Sequence, residues 1–194
     1  MDDPPRDLAE LEARMARNLI GPPVKLTGPI VIADYDAGWP LLYEREAARI
    51  HSALGTRVKR MAHVGSTSVP GLPAKPLIDI VLEVADSADE DAYVPRLEQA
   101  GYRLRGREPD WFEHRLFKGP DTDVNLHTFS AGCAEVDRML RFRDWLRTNA
   151  ADRELYVRTK RELAAKRWTY MQEYADAKTE IVKEITARAE GTSA

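Results

Sequence analysis

The sequence predicts a single α/β (α+β) domain in which a mixed sheet is flanked by helices and followed by a helical C-terminal subdomain. Three observations predict it. Residues 77–84, Leu-Ile-Asp-Ile-Val-Leu-Glu-Val, form a strongly strand-like run. Three further strand-like runs lie between residues 102 and 129. From about Cys133 to Arg188 the chain carries helical periodicity with few breakers.

The elements follow in order. Leu8, Leu11, Met15 and Leu19 recur at helical spacing, so residues 6–20 read as an amphipathic helix stopped by Gly21-Pro22-Pro23. This helix reads as an extension (residues 1–28) to a main domain at 29–190, packing either on the core or on a second subunit. Pro29-Ile30-Val31-Ile32-Ala33 reads as a short strand. Asp36-Ala37-Gly38 is a turn, Asp34 and Asp36 offering turn and cap chemistry. Pro40 then sits in the first turn of a helix running to Leu54, where its missing N–H costs nothing. Leu42, Ala47, Ile50 and Leu54 face the core, and Gly55 ends the helix. Arg57 to Val64 reads as a strand. Residues 90–100 read as a helix with Pro95 in its first turn and Gly101 as its cap. Tyr102–Gly106, Trp111–Lys118 and Thr122–Phe129 read as strands, the last two joined at Gly119-Pro120-Asp121. The tail reads as three helices broken near Asn149 and Trp168.

Composition narrows the function classes. The chain has 194 residues, 43% hydrophobic and 31% charged, with a formal net charge of -3. That describes a globular domain without the basic surplus of a general nucleic-acid binder. Cys133 is the only cysteine, so no intramolecular disulfide forms; as a lone thiol it is a nucleophile candidate, or more simply a small apolar filler. No apolar run approaches the ~18 residues of a membrane span, and the acidic, Pro-rich start does not resemble a signal peptide. A cytoplasmic location is the expectation.

The chemistry concentrates in residues 63–80. A strand delivers the chain to Gly65-Ser66-Thr67, where Gly65 permits close backbone approach and Ser66 and Thr67 offer hydroxyls and N–H groups to phosphate oxygens. The Gly/Ser/Pro-rich loop to Pro73 is irregular, and Lys75 leads into the next strand. There Ile78, Ile80, Leu82 and Val84 take one face, and Leu77, Asp79, Val81 and Glu83 the other. Asp79 stands in an otherwise apolar run, where a charge needs a partner or a task. A carboxylate beside a phosphate cradle repels it unless a cation intervenes, and Mg²⁺ is the expected cation. Asp123, Asn125 and His127 alternate onto one face of a later strand. Lys75, Arg115, Lys118 and Arg143 are candidate anion-binding cations, each also readable as an ordinary surface charge. Tyr156, Lys160 and Trp168 could close over a ligand or belong to the core.

The chain resembles the GrpB-like family of the nucleotidyltransferase superfamily. The resemblance rests on Tyr35-Asp36 with Trp39-Pro40, HVGSTSVPGLPAKPLIDI (63–80), RLFKG (115–119), LHTF (126–129), FRDWLR (142–147) and the tail with Tyr156 and Lys160. It implies a nucleotidyltransferase-like fold and transfer of a nucleoside monophosphate from a nucleoside triphosphate to a small-molecule acceptor with Mg²⁺. By that resemblance Asp79 is the catalytic and metal-binding carboxylate. Gly65 and Ser66 match the superfamily's phosphate-binding turn; Thr67, Lys75 and Arg143 are further candidates for binding nucleotide or phosphate, and His63, Asn125, His127 and Arg115 candidates for orienting substrate. The superfamily pattern pairs its Asp with a second two residues on, where this chain has Val81. Glu83, about 13 Å further along the strand, is a candidate metal ligand that could substitute only through a bend, and Asp123 is the candidate third carboxylate. The alternative is a diverged fold member that binds a phosphorylated or carboxylated small molecule without nucleotidyl transfer. The two terminal helical regions offer faces for a homodimer, or for packing within a monomer.

Overall fold

The apolar run at 77–84 becomes the inner strand of a five-stranded mixed sheet, in a computed structural model that describes residues 8–191. The strands are β1 (Arg60–Val64), β2 (Ile78–Val84), β3 (Arg103–Glu108), β4 (His114–Lys118) and β5 (Val124–Ser130), in spatial order β1-β2-β5-β4-β3. β2 and β5 run parallel, and every other neighbouring pair is antiparallel. Alternation along β2 sends Ile78, Ile80, Leu82 and Val84 to one face. There they meet Trp39, Ile50 and Leu54 of α2 (Trp39–Leu54) and Val94 and Leu97 of α3 (Val94–Gln99). Val81 points to the other face and packs with Val64, Phe129, Val136 and Leu140, the last two from α4 (Ala134–Thr148). Asp79 lies on this second face.

The N-terminal helix, α1 (Leu8–Asn18), is tied to the main body. Leu11 and Met15 pack on Tyr170, the Tyr170 hydroxyl donates to Glu12 at 2.7 Å, and Ile20 N–H donates to Arg105 O at 2.9 Å beside β3. Residues 6 and 7 of the expected helix lie outside the described residues. The tail comprises α4, α5 (Ala150–Ala164), α6 (Met171–Ala177) and α7 (Thr179–Gly191). Val69 and Leu72 insert among Leu146, Tyr156 and Ile185, so the tail grips the loop that precedes β2. Among the described residues no helix is long and apolar enough to cross a membrane.

Several elements differ from the sequence expectation. Residues 29–33 are extended but join no sheet; Ala33 pairs only with Ala74, and Ile30 packs against Ala164 and Tyr174. Pro29 cannot donate to a ladder. The expected helix over 90–100 splits into a 3₁₀ turn at Glu90–Ala92 and α3, because Pro95 lacks the N–H that a helix interior requires. β4 starts at His114, since Phe112 and Glu113 adopt positive φ of 55° and 51° and turn the chain back from β3. A 3₁₀ turn at Gly55–Arg57 delays β1 to Arg60. The tail has four helices instead of three, the further break falling at Lys178. Ala47 is only half-buried, whereas Glu46 is fully enclosed and accepts from the Tyr102 hydroxyl at 2.5 Å and the Thr122 hydroxyl at 2.9 Å.

Because Leu11 is buried against Tyr170, Leu11→Ala is expected to lower unfolding stability by about 2–3 kcal/mol in urea denaturation. A loss under about 0.5 kcal/mol would mean that α1 lies outside the cooperative unit.

Candidate functional site

The site forms where β1 meets β2. Their register sets Val64 beside Asp79, and the chain turns at the next residue, Gly65, with φ 69° and ψ -175°. A Cβ on Gly65 would fall 3.0 Å from both Cβ and Cγ of Asp79. Glycine is therefore required twice, for the backbone angle and for the approach of the carboxylate. The turn continues through a 3₁₀ segment at Ser66–Ser68, held by Ser68 Oγ donating to Gly65 O at 2.6 Å.

Two β5 residues reach Asp79. Asn125, its register partner, donates from Nδ2 to Oδ1 at 3.0 Å, and His127 Nε2 lies 3.5 Å from the same oxygen. The Asp79 side chain keeps 25% of its surface exposed, so solvent and small solutes reach the carboxylate. Burial by itself would raise its pKa. The His127 hydrogen bond and charge, the Asn125 amide and the Lys178 ammonium outweigh that and hold the carboxyl below its ordinary value. Behind His127 the polar chain continues: His127 Nδ1 to His114 Nε2 at 3.1 Å, and His114 Nδ1 to Glu108 Oε2 at 2.7 Å. Burial pushes His114 towards the neutral imidazole.

Three lysines surround this carboxylate and turn. Burial holds Lys75 and Lys178 each below the usual lysine pKa; Lys75 feels the charges of Asp123, Lys118 and, more weakly, Asp79, and Lys178 feels those of Asp79 and Lys75. Among the described residues neither ammonium has a hydrogen bond or an ion pair; Lys178 rests over the Tyr174 ring, 4.5 Å from its centre. Lys160 is 2% exposed and reaches Ser66 Oγ at 3.0 Å and Pro73 O at 2.6 Å. Burial, with the charges of Lys178 and Arg161, brings its pKa down to about 7. Lys178 was not legible as a site residue, because a lysine between two helical stretches looks like any surface cation. Lys160 had one signal: Tyr156, Lys160 and Ala164 share the buried face of α5.

Of the residues singled out from sequence, Gly65, Ser66, Lys75, Asp79, Asn125, His127, Tyr156 and Lys160 gather here. The remaining ones do not. His63 faces the opposite side of the sheet, stacked on Tyr43 at 4.9 Å and bonded to Thr67 Oγ1 at 3.0 Å. Antiparallel pairing puts Val64, not His63, opposite Asp79, and alternation then turns His63 away. The Thr67 hydroxyl is occupied, donating to Leu77 O at 2.9 Å. Arg115 also lies on the far face, where it donates to Glu90 at 2.6 Å. Arg143 donates to His63 O at 3.0 Å and pairs with Asp144 at 2.8 Å, and Arg147 donates to Ser68 O at 2.7 Å. The FRDWLR stretch therefore clamps the loop from behind. Cys133 packs half-buried beside Val136 and Phe129, as a filler does.

The expected metal set is not assembled. Glu83 is 5% exposed, and it accepts from the N–H groups of Gly132 at 3.1 Å and Cys133 at 3.2 Å. Asp123 sits at an exposed rim paired with Lys118 at 3.2 Å. Val81 brings no oxygen. Among the described residues no three His, Cys, Asp or Glu side chains converge to hold a metal ion. Asp79, already engaged by an amide and an imidazole and facing the charge of Lys178, does not fit the shared-carboxylate Mg²⁺ centre that the resemblance implied.

The model of the GrpB protein family matches residues 29–188, which span the sheet, the site and the tail. The chain belongs to the GrpB family. This GrpB-family chain is 63% identical over 163 residues to a UPF0157 protein of Halalkalibacterium halodurans, covering 84% of each sequence. The crystal structure of the conserved protein GrpB from Enterococcus faecalis superposes with a TM-score of 0.72 at 27% identity, over 84% of this chain and 99% of that one. A protein of Mycolicibacterium paratuberculosis named dephospho-CoA kinase is 30% identical over 171 residues, 75% of this chain but only 40% of that protein.

The placement of His63 carries a pH dependence. Burial lowers its pKa from 6.5 to about 4. Between those values the unfolded chain binds a proton that the folded chain refuses, so stability falls as pH falls. The loss from this residue is expected to reach on the order of 3 kcal/mol by pH 4. Urea midpoints of wild type and His63→Gln over pH 4–7 measure it. Parallel curves would contradict the neutral, buried assignment.

Proposed function

We propose that this GrpB-family protein is a diverged relative of nucleotidyltransferases whose Asp79 site binds a phosphate- or carboxylate-bearing small molecule directly through lysine side chains. The single observation that carries this reading is the pair Lys75 and Lys178, two half-buried lysines whose ammoniums have no hydrogen-bond or ion-pair partner among the described residues. Burying an uncompensated ammonium is costly, and the carboxylates nearby, Asp123 for Lys75 and Asp79 for both lysines, offset only part of it. An anionic group on a ligand supplies the missing charge. The Gly65-Ser66 turn adds a hydroxyl at the same place, and net charge does not oppose this, since an acidic protein can still focus a positive field at one site.

Nucleotidyl transfer with Mg²⁺ is the less favoured reading, because it requires a second carboxylate where the chain has Val81. A phosphate-bearing ligand suits both readings. The relative named dephospho-CoA kinase acts, by its name, on such a molecule. This chain has no Gly-x-x-x-x-Gly-Lys-Ser/Thr loop of the kind that cradles phosphates in many kinases. We carry over from that name the phosphate chemistry and not the kinase activity.

Calorimetric titration with pyrophosphate, ATP and citrate tests the proposal. Binding of at least one of them is expected, weakening with added salt. Lys75→Met and Lys178→Met are each expected to weaken it by about tenfold or more. Absence of binding for all three, or full affinity in the double variant, would overturn the reading.

A further inference from the structure

Lys160 is unusual in its surroundings. It is 2% exposed, yet its hydrogen-bond partners are both neutral: Ser66 Oγ at 3.0 Å and the Pro73 carbonyl at 2.6 Å. The charged groups that act on it are also cations. Arg161 lies on its own helix, and Lys178 approaches from the junction of α6 and α7. The loop from Ser66 to Pro73 brings no charge, and from α5 Tyr156 sets its ring 4.8 Å from Nζ and its hydroxyl, kept protonated by burial, against the Ser66 side chain. A π face gives an ammonium modest support, but nothing comparable to a carboxylate. Such a site favours the free amine. As an ammonium Lys160 donates to Ser66 Oγ; as an amine its lone pair accepts the Ser66 O–H at the same separation. The remaining N–H groups stay with Pro73. Ser66 itself is half-buried and opens the turn beside Asp79 and the two lysines of the anion site.

We propose that Ser66 is a nucleophile and Lys160 the general base that takes its proton, acting on an ester or anhydride, acyl or phosphoryl, whose anionic group rests on Lys75 and Lys178. Serine–lysine pairs of this kind activate a hydroxyl that is otherwise unreactive near neutral pH. In the step, the Ser66 Oγ–H bond breaks and its proton passes to Lys160 Nζ. Oγ bonds to the electrophilic carbon or phosphorus, and the leaving oxygen departs with the bonding pair. Lys160 then returns the proton to that oxygen. The Lys178 cation favours the negative charge that develops. Only the placement of the substrate's anionic group rests on the anion-site reading; the serine–lysine pair stands apart from it.

The test uses phenylmethanesulfonyl fluoride, which carries no anionic group and so does not depend on Lys75 or Lys178. With this probe Oγ bonds to sulfur, fluoride leaves with the S–F pair, and the proton goes to Lys160. Intact mass and peptide mapping are expected to show one adduct per chain, on Ser66, forming faster as pH rises through about 7. Lys160→Met and Lys160→Arg are each expected to slow it by about a hundredfold, as loss of a general base does. The arginine variant preserves a positive charge, so its failure to label separates proton transfer from charge. Thermal unfolding of both variants verifies that they fold. No Ser66 adduct in the wild type, or undiminished labelling in a folded Lys160 variant, would overturn the proposal. Labelling without pyrophosphate binding would sustain the dyad while refuting the anion site.

Discussion

Val64 and Asp79 are partners in adjacent antiparallel strands, and the residue that follows Val64 must leave the sheet without striking the Asp79 carboxylate. Only a residue lacking Cβ can do so at φ 69°. From that close approach the rest of the site follows. The turn drops Ser66 next to the carboxylate, and the loop swings out to Pro73 and returns through Lys75 into β2. The tail helices pack on the loop through Val69 and Leu72. Arg143 and Arg147 bind the carbonyls of His63 and Ser68 and hold the turn from outside. Residues 63–80 and 142–147 are thus the two halves of one mechanical unit.

The charges around that unit are arranged with little compensation. Asn125 and His127 satisfy Asp79 from β5, while Lys75, Lys178 and Lys160 crowd the same space from three other segments. Each lysine is depressed by burial; Lys178 feels the charge of Lys75, and Lys160 feels that of Lys178. Stability alone would favour apolar residues at such positions. Their presence is the feature that a ligand-binding function explains and a purely structural role does not.

How much of this was legible depended on whether parity or register was needed. Alternation alone placed Asp79 apart from Ile78 and Ile80, and set Asn125 and His127 on one face. Once β2 and β5 pair in parallel, that pattern suffices to bring them together. His63 needed more, because its face depends on which β1 residue lies opposite Asp79, and sequence does not specify antiparallel register. Glu83 shares the Asp79 face, as alternation requires. Its carboxylate is nevertheless taken up by two N–H groups of the turn after β5, a long-range contact without a local signature. The strand at 29–33 failed for a related reason: its apolar residues found helices α5 and α6 to pack against before any strand edge.

The central claim is that cations on the protein, and not a carboxylate-bound metal, hold the ligand's anionic group. Calorimetric titration of wild type and Asp79→Asn with pyrophosphate, in buffer free of divalent cations and again with Mg²⁺, separates the two most directly. Direct lysine binding predicts affinity without Mg²⁺ that is unchanged or increased in Asp79→Asn, because a negative charge has been removed beside the anion. Binding that appears only with Mg²⁺ and disappears in Asp79→Asn would contradict the account and restore Asp79 as a metal ligand.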